Sequence, residues 1–238
     1  MKQLLVWCLF RSWMFFMQMM IKCLSFHQAQ LFFNVLAKYL FVCLPKRNKA
    51  IAHKNLSLVY PDLSHEAREQ RIKRNLGDFL MMPYYIALSF YGTQKRIDAI
   101  EKKGFEPIKK WADQGERFIV IIPHWQSMEL SARIISVIGL GRFCGLTKPR
   151  ENEKIEGYIQ KNRQLYCHTI GTHDIKSACK HLKQPGSILG VLPDQYYGKG
   201  PKTTFMGVET RRTDSVARMA NRFKAKVVFA HMLSLIHI

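Results

Sequence analysis

The sequence predicts an α/β fold: a mixed, mostly parallel sheet with helices on both faces, preceded by a helical N-terminal segment. Three observations carry this. From residue 93 onward, short apolar runs alternate with helix-length stretches, the pattern of strands joined by crossover helices. Before residue 93 the apolar spacing is almost entirely helical, and the chain there is rich in aromatics and Met. Finally, 238 residues at 47% hydrophobic can bury a sizeable core, in one large domain or two small ones.

The first element covers residues 3–20, QLLVWCLFRSWMFFMQMM, bracketed by Lys2 and Lys22 and interrupted by Arg11 and Gln18. A secretory signal has a shorter apolar core and a small-residue cleavage site, and no such site is present. The run is only just long enough to cross a bilayer, and Arg11 held at the bilayer centre costs about 2.5–3.5 kcal/mol. A tilted span with Arg11 snorkelling and a helix lying in the interface both satisfy the pattern. Trp7, Phe10, Trp13, Phe15 and Phe16 suit an interface, so a membrane anchor is expected here; a buried core helix is the alternative. Residues 28–44 form a second apolar helix, stopped by Pro45. The cluster Lys46, Arg47, Asn48 and Lys49 follows, where contact with anionic headgroups is expected. Residues 47–60 again show helical spacing. Pro61 breaks it, Ser64 caps the next helix, and that helix bends at Pro83 and ends at Gly92. The chain divides at this level into membrane-associated helices over 1–45 and a second domain over 46–238.

In the second half, strands are expected at 97–100, 118–122, 142–146, 169–170, 188–192 and 226–232. Helices are expected at 104–114, 127–138, 151–165, 174–182 and 214–223. Charge is lopsided, with 37 Lys and Arg against 17 Asp and Glu, a net +20. Such a balance calls for an acidic partner: nucleic acid, anionic lipid or an acidic carrier protein. No nucleic-acid-binding module is recognisable. The six cysteines include no C-x-x-C pair and no zinc spacing, and read as reduced thiols. His168, His173 and His181 have no motif around them, and Gly198-Lys199-Gly200 lacks phosphate-loop spacing.

Chemistry concentrates at residues 118–133, FIVIIPHWQSMELSAR. A buried strand stops at Pro123, His124 follows, and Glu129 lies at a helix start. On a continuous helix, positions five apart are about 140° around the axis and do not meet. They meet if His124 sits on the strand-to-helix turn and Glu129 in the first helical turn, with Ser127 as N-cap. The positive helix end favours an ionised Glu129. That carboxylate would orient the imidazole, leaving the other ring nitrogen to take a proton from a substrate hydroxyl. By themselves, a loop His and a helix-start Glu carry little information.

The surrounding segments add to it. RNKAIAHKNLSLVYPDLS over 47–64, the H-x-x-x-x-E of His124 and Glu129, LPDQYYGKGPKTTFMGVETRRT over 192–213 and SVARMANRFKAKVV over 215–228 occur in register. In these segments the chain resembles the late acyltransferases of lipid A biosynthesis, the lauroyl/myristoyl transferase family of Gram-negative bacteria. Related glycerol-phosphate acyltransferases, whose fold the resemblance implies, usually carry Asp where Glu129 stands. The resemblance implies transfer of an acyl group from acyl carrier protein to a hydroxyl of a 3-hydroxyacyl chain on a lipid A precursor. It implies His124 as general base and Glu129 as its orienting partner. A thioester donor requires no metal and no other cofactor. The implied partners are acyl carrier protein, the lipid A precursor and anionic lipids, at a bacterial inner membrane with the catalytic domain facing the cytoplasm.

The family's arginine-containing segment corresponds here to LTKPRENEKIEG, with Lys148 where Arg is expected, Arg150 as a substitute, and Asn152 matching. Lysine holds phosphate as a point charge without the bidentate fork. Arg163 falls where a family arginine lies, and Asp194 follows a strand at its carboxyl end, where α/β sites cluster. These five are the candidate substrate-binding residues. Family members continue past this chain's end, so LSLIHI at the C-terminus is expected to be a truncated or non-native tail. Two alternatives stand: an acyltransferase for another membrane glycolipid or aminolipid, and a non-catalytic membrane-binding homologue.

Overall fold

The structure, a computed structural model, describes residues 2–124, 128–140 and 142–231. The expected N-cap Ser127 lies outside the described residues.

Two long helices open the chain, α1 (Lys2–Cys23) and α2 (Phe26–Cys43). Ser25 starts α2 with a capping box: its hydroxyl accepts from the Gln28 N–H at 3.3 Å while the Gln28 amide oxygen accepts from the Ser25 N–H at 2.8 Å. Next come α3 (Lys46–Val59), entered from Pro45, and α4 (His65–Leu80), capped by the Ser64 hydroxyl on the Ala67 N–H at 3.2 Å. The bend expected at Pro83 is a division: Met81 separates α4 from α5 (Met82–Tyr91), with proline in the first turn, where its missing N–H costs nothing. Helix α1 packs along α5 and α2 along α4. Met14, Met17 and Phe33 of the first two helices are buried together with Tyr84 of α5.

The strand expected at 97–100 is instead α6 (Gln94–Asp98). Thr93 caps it, accepting from the Arg96 N–H at 3.4 Å. Ile97 and Ile100, three apart, are both buried, which is helical rather than strand spacing. The remaining elements are α7 (Glu106–Asp113), β1 (Phe118–Ile121), α8 (Met128–Val137), β2 (Phe143–Thr147), α9 (Glu153–Arg163), β3 (His168–Gly171), α10 (Ile175–Leu182), β4 (Ile188–Val191), β5 (Lys202–Phe205), β6 (Val208–Arg211), α11 (Ser215–Phe223) and β7 (Lys226–Phe229).

Five strands form a parallel sheet in the order β3-β2-β4-β1-β7. Strand β1, between β4 and β7, is buried on both faces, as its unbroken apolar run requires. Phe118 and Val120 pack with Ile108 of α7 and Ile135 of α8. Ile119 on the opposite face packs with Leu182 of α10 and Met219 of α11. The β5–β6 hairpin stands apart from the sheet and has no counterpart in the sequence expectations. Its two-residue turn, Met206-Gly207, has φ of 51° and 78°, the doubly positive φ of a type I′ turn. Leu130 of α8 and Ile159 of α9 share the core of α1, α2 and α5, so the N-terminal helices and the sheet's covering helices are packed as one body.

Candidate active site

The sheet register builds the centre of the site. Ile121 ends β1 and Val191 ends β4, and the two are paired partners on adjacent parallel strands. Three residues beyond each come His124 and Asp194. Equal offsets from a paired position carry both to the same place, outside the carboxyl ends of the strands. There Asp194 holds His124 twice. Its Oδ2 accepts from the His124 backbone N–H at 2.8 Å, and its Oδ1 lies 2.6 Å from the imidazole Nδ1. Burial pushes the Asp194 carboxyl up, but the hydrogen bonds from the His124 ring and backbone outweigh it, and the group titrates below the ordinary aspartate value. An ionised Asp194 assigns the Nδ1 proton and leaves Nε2 as the nitrogen able to accept one. Both side chains remain about a third exposed, at 31% and 36%, so the ring is reachable from solvent.

Glu129 is placed differently from the expectation. It is the second residue of α8 and is buried, only 4% exposed. Its carboxylate faces Arg163 at the end of α9: Arg163 Nε donates to Oε1 at 3.2 Å and to Oε2 at 3.0 Å, and Nη2 donates to Oε1. The Tyr166 hydroxyl donates to Oε2 at 3.4 Å. The carboxylate that orients the His124 imidazole is therefore Asp194's, and the expected His124–Glu129 pairing is corrected. The physical reason is that a buried carboxylate needs a cation close at hand, and Arg163 satisfies it on the side of Glu129 turned toward α9. Burial lowers the Arg163 pKa, the Glu129 carboxylate raises it, and the carboxylate wins. Burial together with the same negative charge pushes the Tyr166 hydroxyl up and the Cys167 thiol up to about 12, so both stay protonated.

A model of the bacterial lipid A biosynthesis acyltransferases matches residues 2–234. The chain belongs to this family. It is 28% identical over 161 residues to a lipid A biosynthesis palmitoleoyltransferase of Escherichia coli strain K12, covering 65% of this chain and 50% of that protein. It is 26% identical over 159 residues to a lipid A biosynthesis lauroyltransferase of the same strain, covering 64% and 50%. A lipid A biosynthesis acyltransferase of Haemophilus influenzae is 26% identical over 160 residues, covering 65% and 49%. The match thus spans about half the length of these curated relatives.

The other expected site residues of this family member fall along the loop after β2 and in α9. Lys148 is exposed and makes no ion pair among the described residues. Arg150 is exposed too, but it is held: its N–H donates to Glu156 Oε2 at 3.0 Å and its guanidinium lies 3.5 Å from the same oxygen. Asn152 caps α9 by accepting from the Ile155 N–H at 3.2 Å, and its amide donates to the Gln3 carbonyl of α1 at 3.0 Å. It is thus a fastening between the loop and the first helix. The structure brings His124 to Asp194 and Glu129 to Arg163, and keeps the Arg150–Asn152 loop as a separate, tethered wall.

Several residues that sequence reasoning passed over support this site. Arg212 donates to the Asp194 carbonyl at 2.7 Å and lies over the Phe205 ring at 4.4 Å, clasping the β5–β6 hairpin to the strand end. Gly200 is needed there, because the Arg212 carbonyl occupies the space a Cβ would take. Glu156 fixes the Arg150 loop. Arg133 of α8 donates to the Ser89 carbonyl at 2.6 Å and the Gly92 carbonyl at 2.9 Å, satisfying the open end of α5. Arg133 was visible only as one more cation in a basic chain. Arg212 lay inside a segment already recognised as family-like, and its adjacency to a strand-end Asp needed the fold.

Proposed function

We propose that the chain transfers a fatty acyl group from the thioester of acyl carrier protein to a hydroxyl of a 3-hydroxyacyl chain on a lipid A precursor, with His124 as general base. The observation that carries this reading is the Asp194-held His124 at the strand ends of a chain matched to the family over nearly its whole length. The acceptor hydroxyl gives its proton to Nε2 as its oxygen attacks the thioester carbonyl. The carbon–sulfur bond then breaks, and the imidazolium returns the proton to the departing thiolate. Asp194 fixes the ring and balances its charge while it is protonated. General base catalysis of this kind supplies on the order of 10²–10⁴-fold.

Glu129 is assigned a positioning role through Arg163, in place of direct contact with the imidazole. Among the described residues Arg163 keeps Nη1 buried and without a hydrogen-bond partner, a donor left for a substrate oxygen. Arg150 and Lys148 on the exposed loop suit the phosphates of the acceptor lipid. The excess of basic residues suits both the acidic carrier and anionic lipids of an inner membrane, with the site on the cytoplasmic side, where carrier thioesters are made.

The test is incubation of the purified chain with acyl carrier protein thioester and a tetraacylated lipid A precursor, with the product weighed by mass spectrometry. Product carrying one added acyl chain is expected, and His124→Ala and Asp194→Asn should each slow its formation on the order of 10²–10⁴-fold. Unchanged rates in both variants would remove the base from the mechanism. Product with a different acceptor lipid alone would reassign the substrate.

A further inference from the structure

Helix α1 is long and apolar enough to cross a membrane, by length and composition. Its surroundings do not let it do so alone. At its start the Asn152 amide holds the Gln3 carbonyl at 3.0 Å. Near its middle the Arg11 guanidinium lies over the Tyr158 ring of α9 at 4.7 Å. Just past its end Arg96 of α6 donates to the Leu24 carbonyl at 3.1 Å. Between these points Met14, Met17 and Met20 are buried in the core shared with α5. A helix fastened at both ends and in the middle to a polar domain cannot cross a bilayer without pulling α9 and α6 in with it, and α9 carries charged residues along its length.

The opposite side of α1 is bare and apolar. Leu5, Leu9, Trp13 and Phe16 are all exposed, and spacings of four, four and three put them on one face. On α2 the same spacing recurs in exposed Leu31, Val35, Tyr39 and Val42, opposite the Phe33, Ala37 and Phe41 that face inward. Since α1 lies on α5, α2 on α4, and α4 runs into α5 through Met81, each bare face is the side of its helix turned away from the α4–α5 pair. Charge identifies what covers them. Residues 1–61 contain eight Lys or Arg and no Asp or Glu. Exposed Lys22, Lys38, Lys46 and Arg47 border the apolar stripes, the arrangement of helices seated in an anionic interface.

We propose that α1 and α2 together form a monotopic seat: both helices lie in the plane of one leaflet of an anionic bilayer, and α1 does not span it. This rests on the reading that the chain works at a membrane, and is independent of the acyl-transfer chemistry. The seat keeps the Arg150–Asn152 loop, tied to the start of α1, at the membrane surface, where a lipid acceptor's headgroup lies.

Native cysteines supply the probes. Cys8 stands in the first third of α1 and Cys23 at its end, and both are exposed, as is Cys43 at the end of α2. Variants of the full chain that keep one of these three, with the other two replaced by Ser, are spin-labelled and bound to vesicles of phosphatidylethanolamine and phosphatidylglycerol. Immersion depth is then read by power saturation. The proposal expects all three labels at similar depth in one leaflet. A spanning α1 instead separates Cys8 and Cys23 by about 22 Å along the membrane normal, 15 residues at 1.5 Å each, and that result would overturn it. Leu9→Asp with Tyr39→Asp should weaken vesicle binding about tenfold or more, with the far-ultraviolet circular dichroism unchanged. Unaltered binding, or conversion of a dimer to a monomer without loss of binding, would reassign the face to a second copy of the chain. Depth is read without turnover, so a chain inactive toward lipid A still answers the question.

Discussion

Glu129 and Arg163 are buried against each other with side-chain exposures of 5% and 8%. In such a pair the Coulomb gain and the desolvation cost nearly cancel, whereas removing one partner strands the other as an unpaired charge in the interior. Glu129→Ala is therefore expected to destabilise the chain by about 3–5 kcal/mol, seen as a lower urea midpoint. Replacing both residues by Met should cost far less than the sum of the single changes Glu129→Met and Arg163→Met. Additive losses in that double-mutant cycle would show that the pair is not coupled. The same pair marks the limit of what sequence alone could supply at this scale. His124 was legible because a strand, a proline and a helix start surround it. Its carboxylate partner was not, because Asp194 lies 70 residues away and reaches the ring only through the β1–β4 register. Glu129, five residues from His124, was the nearest carboxylate in sequence, and burial turned it toward α9.

Elements were legible where an apolar period and a cap agreed. The helix begun by Ser64 has both signals, and the buried strand β1 was legible from its unbroken apolar run ended by Pro123. Residues 97–100 were misread because two isoleucines three apart in a short polar stretch fit a strand or a turn of helix, and the Thr93 cap decided the matter. The β5–β6 hairpin left no period to read. Both strands are largely exposed, so no face needed apolar residues, and its turn is Met206-Gly207 rather than the Asn-Gly that marks such turns. Met206 adopts a φ of 51°, a conformation that costs an ordinary side chain about 1–2 kcal/mol and that Asn tolerates well. The side chain is 57% exposed and has little packing to lose. Met206→Asn is therefore expected to stabilise the chain by about 0.5–1 kcal/mol, measured by urea denaturation. Because Arg212 ties this hairpin to the Asp194 carbonyl, the variant should leave the proposed acyl transfer intact. A destabilised Met206→Asn would mean that the thioether packs against something the turn needs.

At the scale of the whole molecule, the N-terminal helices raise a question that composition could not settle, because an apolar helix reads alike as an anchor or as core. An anchor can be cut away from the domain it serves, and a core helix cannot. Met17 of α1 is fully buried, and the cluster that holds it also contains Leu130 and Ile134 of α8. Helix α8 is the next described element after His124 in the chain and carries Glu129. Removing residues 2–24 would therefore open the core under α5 and α8 and detach Asn152 and Arg96 from the carbonyls they hold. Burial of a Met or Phe side chain contributes about 1.5–3 kcal/mol, and α1 buries several, which together rival the whole stability of an ordinary domain. The shortened chain is expected to lose cooperative thermal unfolding even in mild detergent, and with it the proposed acyl transfer. If it instead melts cooperatively and acts on detergent-dispersed lipid at the full rate, α1 is an appendage and the one-body packing has no energetic weight. The intermediate case is informative as well: a folded but slow chain would localise the contribution of α1 to the Arg150–Asn152 loop, and Asn152→Ala in the intact chain should then reproduce the slow rate.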